Sequence, residues 1–221
     1  MLNNIEAAIF DLDGTLIDSM YVWEIIDIDY LHKRGLDVPM DIGKQTEGKS
    51  FTETAKYFKA TFKLNESIEE IKAEWINMAH HYYRNSVALK SGAKELLEVL
   101  KYKGVKMGIA TSCSRVLLEA VLQQHDLHKY FISIVTSCEV SRGKPYPDVF
   151  LKASEKLQVN PVKTLAFEDT VAGALAAKTA GMKVVAVHDK YSEKHIEELK
   201  DIADYYIESM EELLLEESKV G

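Results

Sequence analysis

Asp11-Leu12-Asp13-Gly14-Thr15 places two carboxylates one residue apart, directly after the apolar run Ile5-Glu6-Ala7-Ala8-Ile9-Phe10. At the end of a strand such a pair projects close together, and repulsion leaves one ionised while the other can hold a proton. That division suits a nucleophile beside a general acid/base. Gly14 permits a positive φ or a close approach of backbone to another group. An Asp-rich turn with a glycine is also a common structural device, so the pentapeptide needs company.

Glu168-Asp169 follows a second apolar run, Leu165-Ala166-Phe167, and adds carboxylates to the first pair. The plainer reading is that Asp169 caps the helix beginning near Val171. A carboxylate cluster needs a cation, and hard oxygen ligands without a His/Cys cluster point to Mg²⁺ rather than zinc. Lys144 lies in Gly143-Lys144-Pro145-Tyr146-Pro147-Asp148. Prolines on both sides of Tyr146 stiffen that segment, so its ammonium can be aimed, whereas most lone lysines are solvated. Thr111-Ser112 offers hydroxyls and backbone N–H groups where a helix begins, which is either an anion site or an ordinary helix cap.

These residues need a frame, and the pattern of apolar runs predicts one. Strands are expected at Ile5–Phe10, Val105–Ala110, Ile132–Thr136, Thr164–Phe167, Val184–Val187 and Asp204–Ile207. Helices are expected between them, at Gly92–Lys103, Arg115–Gln124, Pro147–Leu157, Val171–Ala180 and Glu193–Lys200, with another from Met210. The alternation predicts an α/β fold: a Rossmann-like parallel sheet covered by helices on both faces. Residues 19–88 instead carry helical segments at Tyr21–Arg34, Phe51–Phe62 and Ser67–Tyr83 and no good strand. The expected organisation is a core of residues 1–18 and 89–221 with a helical cap, 19–88, inserted after the first strand. Ligands of a parallel sheet bind at the carboxyl ends of its strands, which is where the polar motifs fall.

Net charge is −8, from 35 acidic and 27 basic residues, which disfavours nucleic acid as a partner. No apolar run reaches the roughly 20 residues that span a bilayer, so no membrane role is expected. The N-terminus lacks a secretory pattern, and Cys113 and Cys138 read as two free, buried thiols of a cytoplasmic protein.

With the motifs in this order, the chain resembles the haloacid dehalogenase superfamily: Asp11-Leu12-Asp13-Gly14-Thr15, Thr111-Ser112, Lys144 and Glu168-Asp169. It looks most like the beta-phosphoglucomutase-like phosphatases, whose first type of cap is helical. The resemblance implies that Asp11 attacks phosphorus to form an aspartyl-phosphate, and that Asp13 protonates the leaving oxygen and later takes a proton from water. It implies Mg²⁺ held by the Asp11 carboxylate, the Asp13 backbone carbonyl and Asp169, with Glu168 assisting. Lys144 then offsets phosphoryl charge. Thr111, preferred over Ser112 as the hydroxyl, joins the Ser112 backbone, Gly14 and Lys49 in the expected phosphate-binding set.

Two departures bear on the reaction. Sugar-phosphate mutases of this kind carry a cap histidine where this chain has Trp23, and a cap arginine near Gly48-Lys49-Ser50-Phe51, where Lys49 is the available cation. Hydrolysis of a small phosphorylated metabolite is therefore expected ahead of phosphomutase activity. Lys44 and Lys49 match a phosphonatase lysine by position only. A phospho-accepting receiver module is the reading from another class, but a receiver has no use for the long insert or for Asp13-Gly14-Thr15. A monomer or weak homodimer is expected.

Overall fold

A computed structural model of the chain describes residues 2, 5–40, 42–46 and 51–218. Lys49, expected in the phosphate-binding set, lies outside the described residues.

The first strand, β1 (Ala7–Phe10), is buried along its whole length. A two-residue strand β2 (Ile17–Asp18) leads into the helices α1 (Met20–His32), α2 (Ile42–Thr46), α3 (Phe51–Thr61) and α4 (Ile68–Asn85). β3 (Ala88–Leu89) pairs antiparallel with β2, Ile17 opposite Leu89 and Asp18 opposite Ala88. This ribbon lies where the chain leaves and re-enters the sheet domain. At two residues per strand it is too short to show a period, so the sequence pattern missed it. The five-residue α2 escaped for the same reason.

Beyond the ribbon the elements run α5 (Ala93–Tyr102), β4 (Lys106–Thr111), α6 (Arg115–Gln124), β5 (Ser133–Thr136), α7 (Asp148–Leu157), β6 (Thr164–Glu168), α8 (Val171–Thr179), β7 (Lys183–Val187), α9 (Ile196–Ile202), β8 (Tyr205–Ile207) and α10 (Glu211–Ser218). The helix expected from Glu193 starts at Ile196, behind a 3-10 turn whose start is capped by the Asp189 carboxylate accepting from the Tyr191 N–H at 2.9 Å.

The strand order is β5-β4-β1-β6-β7-β8, every pair parallel. A parallel sheet is buried on both faces, hence its nearly unbroken apolar strands. Side chains of α5, α6 and α10 pack on one face with Phe10 and Phe167, whose rings stack at 4.5 Å. The other face packs α7, α8 and α9 against Ile9, Ala110 and Val184. Because β1 is central, Asp11 just past its end emerges between β4 and β6.

The insert has its own aromatic centre. Ile71, Trp75, Ala79 and Tyr83 recur every fourth residue along α4 and are all buried. The Trp75 ring meets Phe58 at 4.9 Å and Tyr30 at 5.6 Å, edge to face, an arrangement that aromatic quadrupoles favour. The α4 start is a capping box: Ser67 accepts from the Glu70 N–H while the Glu70 carboxylate accepts from the Ser67 N–H. α4 also packs against α6, which fixes the insert to the sheet domain.

Both cysteines are free, but only Cys113 is buried; Cys138 is exposed in a 3-10 turn after β5, so the expectation of two buried thiols is half corrected. No helix among the described residues is long and apolar enough to cross a membrane.

Candidate active site

The turn after β1 and the end of β6 bring the expected carboxylates together. The Asp11 N–H donates to the Phe167 carbonyl at 2.9 Å, so its backbone is still held by the ladder. Glu168 ends β6 and Asp169 follows it. Oxygens of Asp11, Glu168 and Asp169, all buried, lie within 4.8 Å of one another. Lys144 reaches this cluster from the loop before α7, its Nζ 2.5 Å from Asp11 Oδ1 and 2.5 Å from Glu168 Oε1.

Glu168 works as a clamp. While Oε1 holds Lys144, Oε2 accepts from the N–H groups of Asp169 and Thr170, each at 3.1 Å, and from the Thr170 hydroxyl at 2.9 Å. Lys144 is thereby tied to the start of α8. A side chain at Gly173 would overlap the Glu168 carboxylate, so the helix approaches this closely only with glycine there.

The cap of α8 is Thr170, whose hydroxyl accepts from the Gly173 N–H at 3.1 Å. The capping alternative for Asp169 therefore falls away. Instead Asp169 Oδ1 accepts from the Thr15 hydroxyl at 2.8 Å. Gly14 has φ +80°, and a Cβ on it would collide with the Asp169 carboxylate. Its N–H donates to the Ile17 carbonyl at 2.9 Å, so this donor is engaged inside the turn. What the turn demands of Gly14 is the absence of a side chain.

The electrostatics follow from burial. Burial pushes Asp11 up to about 7 against the pull of the Lys144 ammonium, and Glu168 and Asp13 add repulsion. Asp169 is pushed well above the carboxylate range by burial and then by Glu168 and Asp11. Burial alone would lower Lys144, but the Asp11 and Glu168 carboxylates outweigh it and hold the ammonium above its ordinary value. Lys144 pairs with Asp11 and Glu168, and the upward shifts of Asp11 and Asp169 mean that this set of hard oxygen donors carries its full negative charge only against a further cation. Such a donor set fits a hard divalent cation.

Thr111 ends β4 and is buried, its Oγ1 accepting from the Cys113 N–H at 3.0 Å. Ser112 is exposed, and its hydroxyl accepts from that of Ser137 at 3.2 Å. The residue that caps α6 is Ser114, so neither Thr111 nor Ser112 is occupied as a helix cap.

Asp13 faces the insert rather than the cluster. The Ser19 hydroxyl donates to its Oδ1 at 2.6 Å, and the Tyr83 hydroxyl of α4 donates to the same oxygen. Sequence reasoning missed both residues. The available signal was a phenol placed at the end of the buried stripe of α4, because a buried hydroxyl requires a partner. Trp23 of α1 contacts Tyr83 and Phe51 edge to face, with ring centroids 6.3 and 5.4 Å away. Glu24 of α1 accepts from the Tyr191 hydroxyl at 2.9 Å, a further bond between the insert and the sheet domain.

Residues 8–187 match the family described as haloacid dehalogenase-like hydrolase. The chain is 31% identical over 183 residues to hexitol phosphatase B of Escherichia coli strain K12, covering 82% of each protein. It is 33% identical over 209 residues to the bifunctional riboflavin kinase/FMN phosphatase of Arabidopsis thaliana. That match takes in 94% of this chain but 54% of the plant enzyme, so the chain spans about half the length of that relative. Among solved structures, CbbY of Rhodobacter sphaeroides in complex with phosphate superposes with a TM-score of 0.85 at 25% identity, over 95% of this chain and 96% of that one.

Proposed function

The chain belongs to the haloacid dehalogenase-like hydrolase family as a hydrolytic phosphatase, and from that premise we propose that it cleaves a small phosphate monoester at Asp11 with the help of Mg²⁺. The observation that carries this reading is the convergence of Asp11, Glu168 and Asp169 around Lys144 at the carboxyl ends of β1 and β6.

Asp11 uses a carboxylate oxygen to attack phosphorus in line, the bond to the ester oxygen breaks, and an aspartyl-phosphate forms. Asp13 gives its proton to the departing oxygen, then removes one from the water that attacks the aspartyl-phosphate and frees Asp11. Lys144, held by Glu168, presents its ammonium to the phosphoryl oxygens, where preorganised charge does most of the work of phosphoryl transfer. Thr111 and the backbone at Ser112 grip one of those oxygens; the Thr111 hydroxyl accepts from Cys113 and so keeps its own proton to donate. Asp11, Asp169 and the Asp13 carbonyl would hold Mg²⁺, with Glu168 beside them. When bound, the ion supplies the positive charge that this cluster lacks.

The substrate is a small phosphorylated metabolite of the polyol- or sugar-phosphate kind, the class named for the hexitol phosphatase relative. Residues 19–88 act as the cap and 1–18 with 89–221 as the catalytic core; closure of the cap keeps water from the reacting centre. Trp23 stands where the resemblance sets the mutases' cap histidine, and Phe51 near where it sets the cap arginine that grips a second phosphate; their edge-to-face contact makes an aromatic pair there, which favours hydrolysis. The protein acts in the cytoplasm as a monomer or weak homodimer, with neither nucleic acid nor membrane as a partner.

The test is release of inorganic phosphate from p-nitrophenyl phosphate with Mg²⁺. Activity should vanish with chelator and in a folded Asp11→Asn variant. Full turnover by Asp11→Asn would overturn the assignment. A screen of phosphorylated sugars, polyols and nucleotides then identifies the substrate.

A further inference from the structure

We propose that Tyr83 is a positioning residue that sets the orientation of the Asp13 carboxylate, an inference that rests on the acid/base role given to Asp13 above. Tyr83 ends the buried stripe of α4 and has no exposed surface. Its hydroxyl and that of Ser19 donate to one and the same oxygen, Asp13 Oδ1. A carboxylate oxygen presents two lone pairs, so two donors saturate it. Turning the carboxylate would break both bonds together, and the proton that Asp13 transfers travels through Oδ2.

The two donors enter from the insert: Ser19 immediately precedes α1 and Tyr83 belongs to α4. Asp13 itself belongs to the turn after β1. The packing of the insert therefore decides where the acid/base points. Trp23 lies edge-on to Tyr83 and Phe51 edge-on to Trp23, which links the start of α3 through ring contacts to the residue that holds Asp13. If Tyr83 only filled space, a phenyl ring would serve equally well, since Phe retains the ring and loses the donor alone.

Protonation of the leaving group matters little for a good leaving group and much for a poor one, so leaving-group dependence isolates the effect. The experiment compares kcat and KM for p-nitrophenyl phosphate and phenyl phosphate in the wild type, Tyr83→Phe, Ser19→Ala and Asp13→Asn, with folding checked by circular dichroism. We expect Tyr83→Phe to lower kcat about tenfold on phenyl phosphate and less than about threefold on p-nitrophenyl phosphate, with KM unchanged, and Ser19→Ala to shift the ratio in the same direction. Ser19→Ala probes the same oxygen without touching the aromatic centre, so it carries the test if Tyr83→Phe does not fold. Equal losses on the two esters in these variants, with Asp13→Asn still selective, overturn the positioning role alone. Equal losses in Asp13→Asn overturn the acid/base assignment and this proposal with it.

Discussion

Thr15 and Asp169, separated by 154 positions in the chain, meet through a 2.8 Å hydrogen bond from the Thr15 hydroxyl to Asp169 Oδ1. Both side chains are buried, and the bond joins the turn after β1 to the residue that follows β6. A carboxylate oriented in this way is ready to act as a ligand. Thr15→Val keeps the volume and removes the donor. We expect the Mg²⁺ concentration for half-maximal activity to rise about 10- to 100-fold, as when a partner of a metal ligand is lost. Titrating activity against Mg²⁺ measures this, and an unchanged requirement would count against Asp169 as a ligand.

Lys144 is the cation balancing Asp11 and Glu168. Lys144→Met retains an apolar stem but leaves two buried carboxylates without their partner. Phosphatase activity should fall by about 10²–10³ at least, and urea unfolding should report a loss of about 3 kcal/mol. Adding Glu168→Gln removes one of the orphaned charges and should restore part of the stability while activity stays low. A double variant no more stable than Lys144→Met would show that charge imbalance is not the cause.

Asp27 in α1 supplies a pH dependence remote from the cluster. Burial, with repulsion from Glu24, raises its pKa from 3.8 to about 7. The folded state thus holds a proton that the unfolded chain has released, so this group's contribution to stability falls as pH rises from about 4 to about 7 and is level above that. Asp27→Asn should gain about 1–2 kcal/mol over the wild type at pH 8 and nothing at pH 4, allowing for the partial exposure of the group. Melting curves of the two proteins at both values decide it. A gain independent of pH would show that Asp27 is not buried in charged form.

The reactive groups were legible because each follows an apolar run, and a parallel sheet delivers the carboxyl ends of its strands to one edge. Asp11, Glu168 and Asp169 could be placed together from that rule, as could Lys144 from its proline-bounded loop. Gly14 was readable as a special backbone position, but not that the group pressed against it is the Asp169 carboxylate.

The amino-acid order alone determined the strand–helix rhythm, the helical insert and the identity of the groups that could do chemistry, since these depend on near neighbours and on period. Only the tertiary structure decided which hydroxyl serves which carboxylate: Thr15 on Asp169, Thr170 as the cap of α8 and on Glu168, Ser19 and Tyr83 on Asp13. Helical spacing could assign Tyr83 to a buried stripe, but its partner lies 70 positions away. A hydrogen bond is selective over tenths of an ångström, a precision that only the packing of α4 onto the sheet domain supplies.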